Sequence, residues 1–335
     1  LLVKITIKEG FSQVKKTWRL RSGAVGLIVL IVMLAAGCGP QSQGKIVEGK
    51  VNVVTTFYPI YEFAKAIGGE DANVINLLPA GVEPHDWTPR SQDIVNTSKA
   101  QLFFYNGAGL EGWVPQFLKG LNRDSQVKAY EVSRGIKLIE ANEEDEHEHE
   151  HQEGAGHSHQ HHVDPHTWVS PKSALIMAEN MKNSYIEADP AHKDAYNERY
   201  LNLKKRLEEL DREFASQLGK MPRKEIVVSH EAFGYLARDY GLTQHAIMGL
   251  SPDAEPRSRD LLELSNLVKE EGIHYIFFEE LVSDKLAKTL ASETGAEVLV
   301  LNPVEGLTED QLKRGDDYFS LMRNNLANLI LALQE

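Results

Sequence analysis

Residues 189–230 read DPAHKDAYNERYLNLKKRLEELDREFASQLGKMPRKEIVVSH, and two periodicities meet in them. From Tyr196 the apolar side chains recur at Tyr200, Leu203, Leu207, Leu210, Phe214 and Leu218. Steps of three and four residues place all seven on one face of an α-helix. Asp189-Pro190 is the opening, since proline is tolerated in a first helical turn. About 29 residues at ~1.5 Å each make a rod of ~43 Å. The pattern then changes. Glu225 to Ser229 is a β-branched run that reads as a strand, with His230 at its end. A rod of this length, with strands resuming after it, is the connection between two lobes.

Working outward, strands and helices alternate on both sides. Before the rod, Val51–Phe57 reads as a strand, Tyr58–Gly68 as a helix and Val74–Leu78 as a strand. Thr88-Pro89 opens a helix running to Lys99, Leu102–Tyr105 is a strand and Leu110–Leu121 a helix. Ser170-Pro171 opens a helix to Glu187. After the rod, helices are expected at Ala232–Tyr240, Arg257–Glu270 and Ser283–Thr294, and strands at Tyr275–Phe278 and Val298–Leu301. Thr308 with Gln311 forms a capping box, and Asp317–Leu333 is helical. Alternation of this kind implies βαβ units and parallel pairing. The expected fold is therefore α/β: two lobes, each a mainly parallel sheet flanked by helices, joined by one long rigid helix. The boundaries read as 51–188 for the first lobe, 189–219 for the linking helix and 220–335 for the second lobe.

The N-terminal residues have a different character. Lys15, Lys16, Arg19 and Arg21 precede an apolar run from Ala24 to Ala36 that is short for a membrane span. Ala35-Ala36-Gly37-Cys38 follows. Basic, apolar and small residues in that order read as a secretory signal, 1–37, cleaved before Cys38. Ala35-Ala36-Gly37-Cys38 resembles a bacterial lipobox, although Ala35 stands where leucine is usual. The resemblance implies lipidation of Cys38, with 38–50 as a polar tether. Cys38 is the only cysteine of 335 residues, so neither an internal disulfide nor a multi-thiolate zinc site can form. The formal net charge of −13 argues against a nucleic-acid partner, which needs a basic face.

Thirteen histidines are the chemical signal. Seven of them, His147, His149, His151, His157, His159, His161 and His162, lie in the acidic low-complexity stretch 140–162. That stretch has too little apolar surface to offset its ordering entropy and is expected to be a mobile loop. Its composition reads as a low-affinity metal collector. The string His-Glu-His-Glu-His at 147–151 matches the H-E-x-x-H pattern of zinc proteases. That motif needs a helix to put both histidines on one face, whereas this match lies in a repetitive acidic run of the kind that produces it by chance.

Three other histidines sit in structured contexts. His85 lies in Glu83-Pro84-His85-Asp86-Trp87 and His166 in Asp164-Pro165-His166-Thr167-Trp168. The two motifs echo each other: acid, proline, histidine, then tryptophan two residues on. His230 ends a strand, and open α/β sheets bind ligands beyond the carboxyl ends of their strands. Imidazole suits zinc, copper, iron and nickel. Three imidazoles and one oxygen make a near-tetrahedral site. The oxygen is Glu305, in Asn302-Pro303-Val304-Glu305-Gly306, or else Glu279 or Glu280 after Tyr275–Phe278. His192, His245 and His274 read as structural or solvated.

These motifs, with Ser229-His230-Glu231-Ala232-Phe233-Gly234-Tyr235 and Asn302 to Thr308, resemble the metal-specific solute-binding lipoproteins of ABC importers, the cluster A-I periplasmic-binding-protein family, and most closely its zinc-uptake branch. The resemblance runs from about Val51 to the end. It implies metal in the inter-lobe cleft, His85 and His166 from the first lobe, and His230 and Glu305 from the second. It also implies Zn2+ as the carried ligand, an ABC importer permease as partner, and a monomer, not an enzyme, held by lipidated Cys38 on the extracytoplasmic face of the membrane. Manganese-binding relatives replace the third histidine by a carboxylate; this chain has His230. The rival readings are a manganese- or iron-binding member of the same family, a secreted zinc hydrolase and a surface adhesin.

Overall fold

Central strands of a parallel sheet are buried on both faces and therefore read as apolar runs. A computed structural model describes residues 44–140, 163–253 and 256–334. Among these, eight strands form two four-stranded sheets. The first has the order β2-β1-β3-β4, from β1 (Val51–Thr55), β2 (Ala72–Asn76), β3 (Leu102–Tyr105) and β4 (Lys128–Glu131). The second has the order β6-β5-β7-β8, from β5 (Glu225–His230), β6 (Thr243–Met248), β7 (Tyr275–Phe278) and β8 (Glu297–Val300). Every pairing is parallel. The protein thus has two parallel-sheet α/β domains of like topology. In each, chain direction across the sheet reverses at the first strand, between β1 and β3 and between β5 and β7. A crevice opens at such switch points.

The helices are α1 (Tyr58–Gly68), α2 (Ser91–Thr97), α3 (Val114–Lys119), α4 (Pro171–Ala188), α5 (Lys193–Leu218), α6 (Gly234–Tyr240), α7 (Ser258–Glu270), α8 (Lys285–Thr294), α9 (Glu309–Arg314) and α10 (Tyr318–Leu333). The rod is α5. Its buried residues are the seven of the apolar stripe. At 26 residues it is ~39 Å long, because Pro190–His192 forms a separate 3-10 turn. The Asp189 carboxylate holds that turn, accepting from Tyr196 Oη at 2.8 Å and lying 2.6 Å from His192 Nδ1. α5 packs on α1 and α4 on one side of the chain and on α6 and α10 on the other. Arg206–Asp317 (2.7 Å) and Arg323–Glu213 (2.9 Å) tie it to the α10 region. One apolar core, which includes Val53, Phe104, Leu207, Val228, Leu301 and Leu329, runs through both sheets.

Three expectations need correction. Thr88-Pro89 does not open a helix: α2 starts at Ser91, where the Asp93 carboxylate accepts the Arg90 N–H at 2.7 Å. Leu110 is not helical, because Glu111 closes the preceding loop by accepting from the N–H groups of Asn106 (2.8 Å) and Gly107 (3.0 Å). β2 begins at Ala72 rather than Val74. Strands β4 and β6 fall where the sequence pattern marks no strand. Cys38, the signal segment and the seven histidines of 147–162 lie outside the described residues. Among the described residues no helix is long and apolar enough to cross a membrane.

Candidate metal centre

His85 follows β2 on a loop that the second domain holds in place: Gly81 N–H donates to Leu307 O at 2.9 Å. Both Glu83 carboxylate oxygens lie 3.0 Å from the His85 backbone nitrogen. Trp87 packs edge-on against Trp113, ring centroids 5.6 Å apart.

His166 is fully buried. Asp164 Oδ1 lies 2.8 Å from both its backbone nitrogen and its Nδ1. The echoed acid therefore has one shared duty, accepting the histidine N–H, and Asp164 adds a second by fixing the ring. Asn106, one residue past β3 at the switch point, brackets the turn. Its Nδ2 donates to Pro165 O at 2.8 Å, and its Oδ1 accepts from Thr167 Oγ1 at 2.9 Å.

His230 is the last residue of β5 and is also fully buried. Glu279, just past β7, repeats the Asp164 arrangement: Oε1 lies 2.7 Å from His230 Nδ1 and 3.2 Å from its backbone nitrogen. A carboxylate accepting at Nδ1 fixes the tautomer and turns the Nε2 lone pair into the site.

Glu305 arrives on a tight turn. Val304 has φ 60°, a left-handed conformation that a β-branched residue rarely adopts. Asn302 Oδ1 accepts the Val304 N–H at 2.7 Å, and Asn325 grips Asn302 at both its N–H (2.8 Å) and its C=O (2.6 Å). Glu280, the reserve candidate, is elsewhere: its Oε2 accepts from Asn302 Nδ2 at 2.8 Å and Gln311 Nε2 at 2.5 Å.

The structure brings His85, His166, His230 and Glu305 together. His166 Nε2 lies 3.1 Å from His85 Nε2 and 3.2 Å from His230 Nε2. Glu305 Oε1 lies 3.4, 3.4 and 3.8 Å from the Nε2 atoms of His85, His166 and His230. Ligands ~2.0–2.1 Å from a tetrahedral zinc stand about 3.3–3.4 Å apart. The observed separations of 3.1 to 3.8 Å bracket that value. Glu305 Oε1 is buried and has no hydrogen-bond partner, a costly state for a carboxylate oxygen unless a cation meets it.

Charge follows from this crowding. Burial alone would raise the Glu305 carboxyl, but His166 and His85 hold it well below the usual carboxylate range. Burial works against a charged His166, yet Asp164 and Glu305 outweigh it and push that imidazole up to about 10. His85 goes the other way: burial lowers it, and Glu305 only partly compensates. Burial and the Glu305 charge push Glu83 up to about 7. Farther out, a cavity of about 690 Å³ is lined by Val82, Trp87, Met248 and Leu281, with Glu83, Asp86 and Asp253 on its wall.

Glu279→Gln would keep the shape of that side chain but remove its charge. Partners of metal-bound imidazoles are worth about 10–100-fold in affinity. The expected result is zinc binding weakened by that factor with unchanged stoichiometry, read by competition with a chelator. Wild-type affinity in the variant would remove Glu279 from the account.

Two parallel α/β domains with three histidines and a carboxylate grouped at their strand ends have the architecture of a two-domain binding protein. The chain belongs to the family described as ZnuA, zinc-uptake complex component A, periplasmic, which matches residues 53–332. It is 41% identical over 297 residues to the zinc-binding protein AdcA of Streptococcus pyogenes serotype M3, covering 87% of this chain and 58% of that protein. It thus spans little more than half the length of these streptococcal relatives. It is 42% identical over 306 residues to the high-affinity zinc uptake system protein ZnuA of Bacillus subtilis, covering 90% of this chain and 95% of that one. Among solved structures, the Zn(II)-bound ZnuA-like domain of Streptococcus pneumoniae AdcA matches with TM-score 0.72 and 38% identity, covering 86% of this chain and all of that one. The laminin-binding protein Lmb of Streptococcus agalactiae, described as an adhesin with metal-transporting activity, matches with TM-score 0.72 and 32% identity, over 85% and 99% of the two chains.

Proposed function

We propose that this chain captures Zn2+ outside the cytoplasm through His85, His166, His230 and Glu305 and passes it to an ABC-type membrane importer. One observation carries the reading: three imidazole Nε2 atoms and one buried carboxylate oxygen without a hydrogen bond face each other at separations suited to a single tetrahedral ion. Nitrogen-rich coordination favours zinc over manganese, which prefers oxygen ligands. Glu305 occupies the fourth position, where a catalytic zinc keeps its open site, so the geometry favours a carrier over a hydrolase. The acidic wall formed by Glu83, Asp86 and Asp253 attracts cations to the mouth. Lipidation of Cys38 would keep the protein at the membrane, and the histidines from His147 to His162 would collect metal near it. The boundaries 51–188, 189–219 and 220–335 divide the chain into the two lobes and their connecting helix. The likeness to Lmb supports adhesion as a second reading.

The test is metal content and competitive zinc-against-manganese affinity of the purified protein. One zinc per chain and a strong preference for zinc are expected; equal affinity for manganese would overturn the assignment. Growth of a deletion strain under zinc limitation separates import from adhesion.

Zinc must also displace a proton. With His166 held up to about 10, the empty site is protonated at neutral pH, and binding releases that proton. Affinity should then rise about tenfold per pH unit from pH 7 to 9 instead of levelling off above the ordinary histidine value of ~6.5. Calorimetry in buffers of differing ionisation enthalpy should count about one proton released at pH 7.5. A plateau above pH 7 with no proton release would contradict this.

A further inference from the structure

The connection after β5 does more than end in His230. Four residues on, Gly234 begins α6 against the Asp164 carboxylate: a Cβ built on Gly234 would come 2.4 Å from Asp164 Oδ2. Next in sequence, the fully buried Tyr235 donates its hydroxyl to Asp164 O at 2.7 Å and accepts from Ile139 N–H at 3.3 Å. Asp164 N–H in turn donates to Ile139 O at 2.9 Å. Asp239, at the far end of α6, accepts from Ser170 Oγ at 2.5 Å. The whole turn from Asp164 to Ser170 therefore rests on α6, an element of the second domain, although it carries a histidine grouped with the first.

We propose that Gly234 and Tyr235 are positioning residues for zinc. The same corner that presents His230 also sets the carboxylate that orients His166, so the two imidazoles are aligned by one backbone element. This inference rests on the zinc-site reading above. Its physical content is which atom must yield. Alanine is a better helix former than glycine, so Gly234→Ala carries no local helical penalty. The new methyl meets the free end of an Asp side chain, which can swing aside without unfolding the domain. Swinging aside breaks the bond from Asp164 Oδ1 to His166 Nδ1. The consequence falls on the metal site rather than on the fold.

The experiment measures zinc affinity by chelator competition for wild type, Gly234→Ala, Asp164→Ala, the Gly234→Ala/Asp164→Ala pair, Tyr235→Phe and His166→Ala, with melting of each metal-free protein. Gly234→Ala should weaken binding about 10–100-fold, the range for loss of an imidazole's carboxylate partner. In the Asp164→Ala background it should add nothing, since the carboxylate it displaces is gone. Tyr235→Phe keeps the ring and should cost several-fold; it carries the test by itself if Gly234→Ala does not fold. Wild-type affinity in Gly234→Ala and Tyr235→Phe, or multiplicative effects in the pair, would overturn the proposal. His166→Ala separates the two failures: if it binds zinc normally the site reading is wrong, whereas if it alone loses binding only the positioning role is wrong.

Discussion

Replacing His166 with alanine should weaken zinc binding by two to three orders of magnitude and abolish most of the zinc-induced rise in melting temperature. Structural zinc sites are worth roughly 10–16 kcal/mol. Shared among four ligands that is about 2.5–4 kcal/mol each, or about 10²–10³ in affinity. His166 should stand at the upper end. Its Nε2 is the shared neighbour, 3.1 Å from His85, 3.2 Å from His230 and 3.4 Å from Glu305 Oε1, so its loss opens three edges of the tetrahedron. It is also the group that most supports the Glu305 charge. Without it, that buried carboxylate loses a partner it needs, and the metal-free variant should melt slightly lower as well. Chelator competition and melting with and without zinc check both parts. Unchanged affinity together with an unchanged zinc-induced shift would show that the metal sits elsewhere.

How much of this was legible follows from where each strand lies in its sheet. The four central strands β1, β3, β5 and β7 are covered on both faces, and their runs VNVVT, LFFY, EIVVSH and YIFF announce them. The edge strands do not. KAYE in β4 and TQHAIM in β6 are half exposed and show neither a run nor an alternation, so nothing local marks them. β2 and β8, also edges, could be placed only to within one or two residues. The stripe on α5 was clear because one helix face meets a core contributed by both domains, so its apolar spacing persists for the whole length.

The site divides in the same way. His85, His166 and His230 stand beside punctuation that the sequence shows, a proline or a strand end. The carboxylate could not be chosen, because Glu279, Glu280 and Glu305 all follow strands. What separates them is three-dimensional: Glu279 is spent on His230 Nδ1, Glu280 on Asn302 and Gln311, and the left-handed Val304 directs Glu305 inward. Asn106 left no trace at all, although its place one residue past a central strand at a switch point is where such a residue belongs.

Trp168→Ala should be the most destabilising single change, costing about 3–5 kcal/mol. The indole is fully buried, edge-on to Phe57 at 4.6 Å and 5.3 Å from the His166 ring. Its Nε1 donates to Pro303 O at 2.7 Å, and its carbonyl accepts from Tyr318 Oη at 2.8 Å. Truncation thus opens a cavity and strands a buried carbonyl, two costs that add. The damage should reach the metal. Pro303 lies two residues before Glu305 and Trp168 two after His166, so the indole ties His166 in one domain to Glu305 in the other. Zinc affinity should therefore fall about tenfold even where the variant remains folded, by the logic of partners that orient ligands. Trp168→Phe separates the contributions. It keeps most of the ring, loses the N–H, and should cost only about 1–3 kcal/mol while leaving Pro303 O unpaired. Urea denaturation of the metal-free proteins gives the stability, and chelator competition gives the affinity. A cost below about 1 kcal/mol for the alanine variant, well short of the usual range for a buried aromatic, would mean that the contact from Trp168 to Pro303 contributes little to holding the two domains. In that case the site would tolerate domain movement around Trp168. The larger cost means that the contact from Trp168 to Pro303 couples His166 to Glu305, so that separating the two would break it.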